Sequence, residues 1–140
     1  MNKHERSVPE KIKEWISFAE DDIRMADVAM KLKSNVPCRI IAFHAQQCAE
    51  KYLKAYLVSQ EVDFPYTHSI ATLLKLCGKY ALRIKEIQDA DLLTPYAITA
   101  RYPGQDERVT KGETLKAIGM AKKVRQTVRD ALQQFGIDLT

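Results

Sequence analysis

Cysteine is scarce and unpatterned in this sequence. Cys38, Cys48 and Cys77 are the only three. They lie far apart with no Cys-x-x-Cys pair, so neither a disulfide framework nor a zinc site is indicated. Glycine and proline number five each, and hydrophobic residues reach 46%. That balance excludes a disordered or low-complexity chain. No apolar run approaches the ~20 residues a membrane-spanning helix needs. The start, Met1 to Arg6, is not followed by an apolar stretch and a small-residue cleavage site, so no secretory signal is read and a cytoplasmic protein without a membrane partner is expected. Three histidines without a carboxylate–histidine helix pair offer no metal-ligand spacing. The signatures GxGxxG, GxxxxGK, HExxH and GxSxG are absent too, so no metal and no cofactor are expected.

The chain has 140 residues, the size of one ordinary domain, and carries a net charge of +4. The excess is uneven. Residues 101–140 hold eight basic and five acidic side chains, a tilt towards an anionic partner or simply a solvated helix face.

Helical periodicity dominates. Ile12, Trp15, Ile16, Ala19, Ile23, Ala26 and Met30 recur at three- and four-residue steps, and the pattern fades at Lys33-Ser34-Asn35. A second helix over about Cys38–Gln60 carries Ile41, Ala45, Cys48, Tyr52 and Tyr56. It is apolar on all sides near its start, as a central helix would be. Asp63-Phe64-Pro65-Tyr66-Thr67 breaks the pattern, and a short helix with Ile70, Leu73, Leu74 and Cys77 follows, stopped near Gly78. A fourth segment runs over about Ile84–Thr99 with Pro95 set to kink or restart it. A last helix over about Gly112–Phe135 turns Leu115, Ile118, Ala121, Val124, Val128, Ala131 and Phe135 inward, with Gly136 as its C-cap. No stretch alternates with period two, and no internal repeat is evident. The expected fold is all-α, an up-and-down bundle of four to five helices over 10–135, with tails at 1–9 and 136–140.

Three constellations could carry chemistry. In the first, Arg39 precedes His44 by five residues, about 140° apart on a helix. An imidazole base and a guanidinium for the developing phosphate charge can cleave RNA without metal. The plainer alternative is a satisfied near-core histidine and a surface arginine. In the second, Gln46 and Gln47 sit in a strongly apolar stretch and must find partners on another helix, a second subunit or a ligand. In the third, Tyr96, Arg101 and Tyr102 could stack a base and clamp a phosphate, or the arginine could fix a loop through an acidic partner.

Several blocks in order carry a resemblance: Trp15-(x)3-Ala19-Glu20-Asp21-Asp22, FHAQQCAEKYLKAYL, Thr67-His68-Ser69-Ile70 with Leu73 and Leu74, LLTPYAITARYPG, and the final amphipathic helix. Together they resemble the HEPN domain family (higher eukaryotes and prokaryotes nucleotide-binding) over about residues 10–135. The resemblance implies a homodimeric helical bundle that binds nucleotide or RNA. It also implies a minimal nucleotidyltransferase as protein partner, in a toxin–antitoxin-like pair. Some branches of the family are metal-independent ribonucleases with an Arg-(x)4–6-His motif. Arg39 to His44 satisfies that spacing, yet the family places the motif near the ARYPG region, where the window after Arg101 ends at Asp106, Glu107 and Arg108 without a histidine. By resemblance His68 is a recurrent helix-start residue, read as structural. The leading expectation is a phosphate-binding cleft near Tyr96, Arg101 and Tyr102. Two alternatives stand beside it: an endoribonuclease using Arg39 and His44, and a purely structural dimeric module.

Overall fold

Ser7 opens the first helix by accepting a hydrogen bond from the Glu10 amide, with Pro9 in the first turn where its missing N–H costs nothing. A computed structural model describes residues 6–80, 82–97 and 108–139. Among these residues there are four α-helices, α1 (Val8–Met30), α2 (Cys38–Ser59), α3 (Ile70–Cys77) and α4 (Lys111–Gln134). Two 3-10 segments, Ile84–Glu86 and Gln88–Ala97, lie between α3 and α4, and no strand occurs among the described residues.

Helix α2 is the axis, packed against α1, α3, α4 and the second 3-10 segment. Its sequence explains that position: Ile41, Ala45, Cys48, Ala49, Tyr52, Leu53, Tyr56 and Leu57 are all buried and point to several sides. The apolar stripe of α1 (Ile12, Ile16, Ala19, Ile23 and Ala26) and that of α4 (Ala117, Ala121, Val124, Val128 and Leu132) close over it. Each fully buried Leu or Ile contributes roughly 1.5–3 kcal/mol of transfer free energy. Lys122 on α4 pairs with Asp27 late in α1, while Arg129 pairs with Glu20 earlier in α1, so these helices run antiparallel. The α1–α2 turn reverses the chain. Helices α2 and α4 therefore start at the same end of the bundle, where α1 stops.

The fold is all-helical, as expected, with three local differences. Residues 84–97 form 3-10 turns rather than an α-helix. Pro95 lacks an amide to close an α-turn. Thr94 Oγ1 also accepts from the Ile70 amide at 3.1 Å, tying the segment to the start of α3. Leu115 and Phe135 are exposed rather than inward. Thr114 takes the inward position beside Leu115, its hydroxyl donating to Thr110 O at 2.8 Å, and Phe135 lies at the C-cap, past the last buried turn. Gly78 ends α3 with an ordinary right-handed φ. Its small size is what counts there, since a Cβ would stand 2.7 Å from Ile84 Cδ1. Gly136 has φ +81°, the left-handed conformation of a helix C-terminal glycine.

Candidate functional site

The α1–α2 turn and the chain entering α4 face each other across a groove of about 600 Å³. Asn35, Val36 and Pro37 with the first turn of α2 form one wall; Arg108 and Val109 form the other. Asn35 makes the turn possible with φ 54°, a left-handed conformation that asparagine tolerates. Thr110 fixes the far side by accepting from the Glu113 amide at 3.0 Å, which caps α4. Arg39 and Arg108 both line the groove and both are exposed, and among the described residues no carboxylate lines it. Lys31, Lys33 and Lys111 are exposed at the same end. Among the described residues none of these five cations is held in an ion pair. Tyr96, half-buried at the end of the second 3-10 segment, donates to Glu113 Oε2 at 3.2 Å on the first turn of α4. It therefore belongs to this end of the molecule. Arg101 and Tyr102 lie outside the described residues.

Arg39 and His44 are not brought together on one face. Arg39 lines the groove, whereas His44 does not and turns against α1. There its Nδ1 stands 2.8 Å from Asp22 Oδ1, while Lys51 Nζ donates to Asp22 Oδ2 at 2.6 Å. A carboxylate oxygen only accepts, so Nδ1 carries the hydrogen, and in the neutral tautomer Nε2 is the ring's acceptor. The His44 side chain keeps 27% of its surface exposed.

Gln46 and Gln47 find partners within the chain. Buried Gln46 donates to Glu50 Oε1 and to His68 O, each at 3.1 Å, and Gln47 donates to Gln46 Oε1 at 2.7 Å. His68 Nδ1 lies 2.8 Å from Glu50 Oε1, so this histidine anchors the loop before α3. Lys54 Nζ donates to Glu50 Oε2 at 3.1 Å and lies 5.5–5.9 Å from the ring centres of Trp15, Phe64 and Tyr66. Its ammonium is thus enclosed by one carboxylate and three aromatic rings.

A third polar cluster joins three helices. Glu20 on α1 accepts from Tyr52 Oη on α2 at 2.7 Å and from Arg125 and Arg129 on α4. Burial pushes the Glu20 carboxyl up, but the hydrogen bonds from Arg125 and Tyr52 and the two arginine charges outweigh it and hold it below its ordinary value. The hydrogen bond to Glu20 raises Arg125 in turn, against the opposing pull of burial. Burial drives the Tyr52 phenol and the Cys48 thiol well above their usual ranges, and pushes the Cys77 thiol up to about 12.

Sequence reasoning did not single out Glu20, Asp22, Glu50, Lys54 or the Arg125–Arg129 pair as site residues. The available signals were charges at four-residue spacing, Glu50 to Lys54 on the central helix α2 and Arg125 to Arg129 beside the apolar stripe of α4.

The sequence model of the HEPN domain family matches residues 12–131. Two solved structures are similar: ST0689, described as an archaeal HEPN homologue, and TT1696 from Thermus thermophilus. Each is 24% identical, covers 86% of this chain and 97% of its own, and superposes with TM-scores of 0.69 and 0.68 respectively. No curated protein matches the chain. Among the described residues no helix is long and apolar enough to cross a membrane, and no group of three or more His, Cys, Asp or Glu could hold a metal ion.

Proposed function

The chain belongs to the HEPN domain family, and on that footing we propose that it binds nucleotide or RNA phosphate at the bundle end where α1 stops and α2 and α4 begin. The observation that carries this reading is the groove of about 600 Å³ lined by Arg39 and Arg108 and, among the described residues, by no carboxylate. Lys31, Lys33 and Lys111 extend the positive field around it. Tyr96 at this end of the molecule is a proposed aromatic contact, and Arg101 and Tyr102, which lie outside the described residues, are proposed from the sequence as further cationic and aromatic contacts, in a cytoplasmic homodimer that works with a minimal nucleotidyltransferase in a toxin–antitoxin-like pair. Phosphate binding releases counterions, so affinity must fall as salt rises. The test is a titration of labelled RNA at low and high salt with wild type and Arg101→Ala. Loss of affinity in the variant and a steep salt dependence are expected. RNA binding that ignores both salt and Arg101 would refute the cleft.

A second reading has its own support. Asp22 holds His44 through Nδ1 and leaves Nε2 as a proton acceptor, the arrangement of an oriented general base. His44 would then take the 2′-hydroxyl proton in metal-independent RNA cleavage while Arg39 meets the phosphate charge. Because these two side chains face different sides of α2, the arginine would have to come from a second copy. Incubation with generic RNA in EDTA should show cleavage by wild type and none by His44→Ala. Equal RNA survival with and without the wild-type protein would dispose of it.

A further inference from the structure

We propose that the outer face of α1 is a seam at which two copies of this chain pair antiparallel, helix along helix. The inference rests on the homodimer named above and adds its surface, register and residues. It does not depend on phosphate binding.

Helix α1 carries two apolar stripes. One, with Ile12, Ile16, Ala19 and Ile23, is buried in the core. The other, with Phe18, Met25, Val28 and Leu32, is 49–58% exposed. A surface helix needs only one apolar face to fold, and a contiguous exposed patch marks an interaction surface. The spacing identifies what covers it. Phe18, Met25 and Leu32 repeat every seven residues, with Val28 three after Met25. These are the a and d positions of a heptad, the pattern that packs one helix along another. Leu32 follows the last turn, its amide donating to Ala29 O at 3.2 Å, so the stripe continues past Met30. From Lys11 to Leu32 the face runs for about 30 Å at ~1.5 Å per residue.

The face is complementary to itself. Lys11, Glu14, Trp15 and Phe18 line a hollow of about 180 Å³ near the start of α1. Positions i, i+3, i+4 and i+7 are the four corners of the hole that receives a knob from a facing helix. Arg6 lines the same hollow and pairs with Glu14, so the carboxylate there is already compensated. Leu32, at the other end of α1, is the knob. An antiparallel second copy that seats its Leu32 over Glu14 receives this chain's Leu32 over its own Glu14. The same register sets Phe18 against Val28 of the second copy. Every contact then occurs twice, as a two-fold interface requires.

Charge selects the direction. Asp21 and Arg24 straddle the middle of this face, both exposed, and among the described residues neither is in an ion pair. In the antiparallel register each Asp21 comes level with Arg24 of the second copy, giving two contacts of opposite charge. A parallel pair would set Asp21 on Asp21 and Leu32 on Leu32, with both hollows unfilled.

The experiment is sedimentation velocity of the full chain over a range of concentrations. Wild type should be a dimer. Leu32→Glu and Phe18→Glu should each weaken it about tenfold or more, since symmetry counts each change twice. Asp21→Arg should weaken it too, and Asp21→Arg combined with Arg24→Asp should restore it, because the swap re-forms both cross-copy pairs. All four positions are exposed, so helical circular dichroism should stay unchanged in every variant. A wild type that is monomeric at every concentration would overturn the seam and the homodimer together. A dimer unmoved by Leu32→Glu and Phe18→Glu would overturn the seam alone and leave the homodimer to another face. Failure of the charge swap to rescue Asp21→Arg would overturn the antiparallel register. Salt-dependent RNA binding is a separate readout, and its presence or absence moves none of these outcomes.

Discussion

Arg125 on α4 grips Glu20 on α1 with two nitrogens, Nε at 2.9 Å and Nη2 at 2.8 Å from the same oxygen, Oε1. Tyr52 Oη from α2 reaches that oxygen as well, at 2.7 Å, so one carboxylate ties together the three long helices that enclose the core. The groove lies at one end of this frame. The relative position of Arg39 on α2 and Arg108 ahead of α4 depends on how firmly α2 and α4 are held side by side.

Acid should loosen this tie before neutral or mildly basic conditions do. The fold lowers the Glu20 carboxyl, so the ionised form is favoured in the folded state. Its contribution is complete above the ordinary glutamate range, near about pH 4, and is lost as pH falls through the lower folded-state value. Glu20→Gln should cost about 1–3 kcal/mol at neutral pH, because it leaves two guanidinium groups without their anion. The variant should also show a flatter loss of stability towards acid. Urea melts at several pH values check both points, and parallel acid profiles for wild type and variant would contradict the assignment.

Thiol chemistry gives a prediction that needs no ligand. Cys48 and Cys77 are buried, and burial raises both thiols, Cys77 to about 12. Near about pH 8 almost no thiolate exists at either, and the thiolate is the reactive species. Cys38, half-buried at the start of α2, is the exception in exposure. Native protein treated with a disulfide reagent should therefore react at one cysteine, with the other two appearing only in denaturant. Rapid labelling of Cys48 or Cys77 in the native protein would mean that the α2 core opens readily.

Much of this organisation could be read from the chain, for reasons particular residues make plain. Ile12, Ile16, Ala19, Ile23 and Ala26 are buried because a helix repeats every 3.6 residues, and the apolar stripe records that geometry directly. The glycine at 136 is legible from backbone chemistry, since its φ of +81° suits glycine, whereas Gly78 is needed for its small size against Ile84, a tertiary contact. The segment around Pro95 was only partly legible: Pro95 signals a break, but the bond from the Ile70 amide to Thr94 that ties the segment to α3 is tertiary, and no local pattern encodes it. The same limit hid the polar clusters. Glu20 and Arg125 are more than a hundred positions apart, and a lone glutamate beside an apolar stripe looks like any solvated residue. Arg39 and Arg108 meet at one groove only because α2 and α4 start side by side, a relationship set by the antiparallel packing of each on α1. Gln46 was legible as an amide needing partners, but not that Glu50 and the His68 carbonyl would supply them.

The enclosed ammonium of Lys54 is the most demanding feature of the core. The residue is 5% exposed, its Nζ bonds Glu50, and Trp15, Phe64 and Tyr66 surround it. Burying a charge is unfavourable by itself, and the arrangement holds because the carboxylate and the ring faces replace the lost water. Lys54→Met keeps much of the volume but leaves the Glu50 charge buried with only Gln46 and His68 as donors. Breaking such a pair costs about 3–5 kcal/mol. Glu50→Gln combined with Lys54→Met removes the uncompensated charge as well. The double variant should therefore lose less than the sum of the two single changes, by about 1 kcal/mol or more. Denaturant unfolding of the three variants measures this directly. A Lys54→Met protein within about 0.5 kcal/mol of wild type would show that the rings, rather than the ion pair, hold the loop containing Phe64 and Tyr66 against α1 and α2.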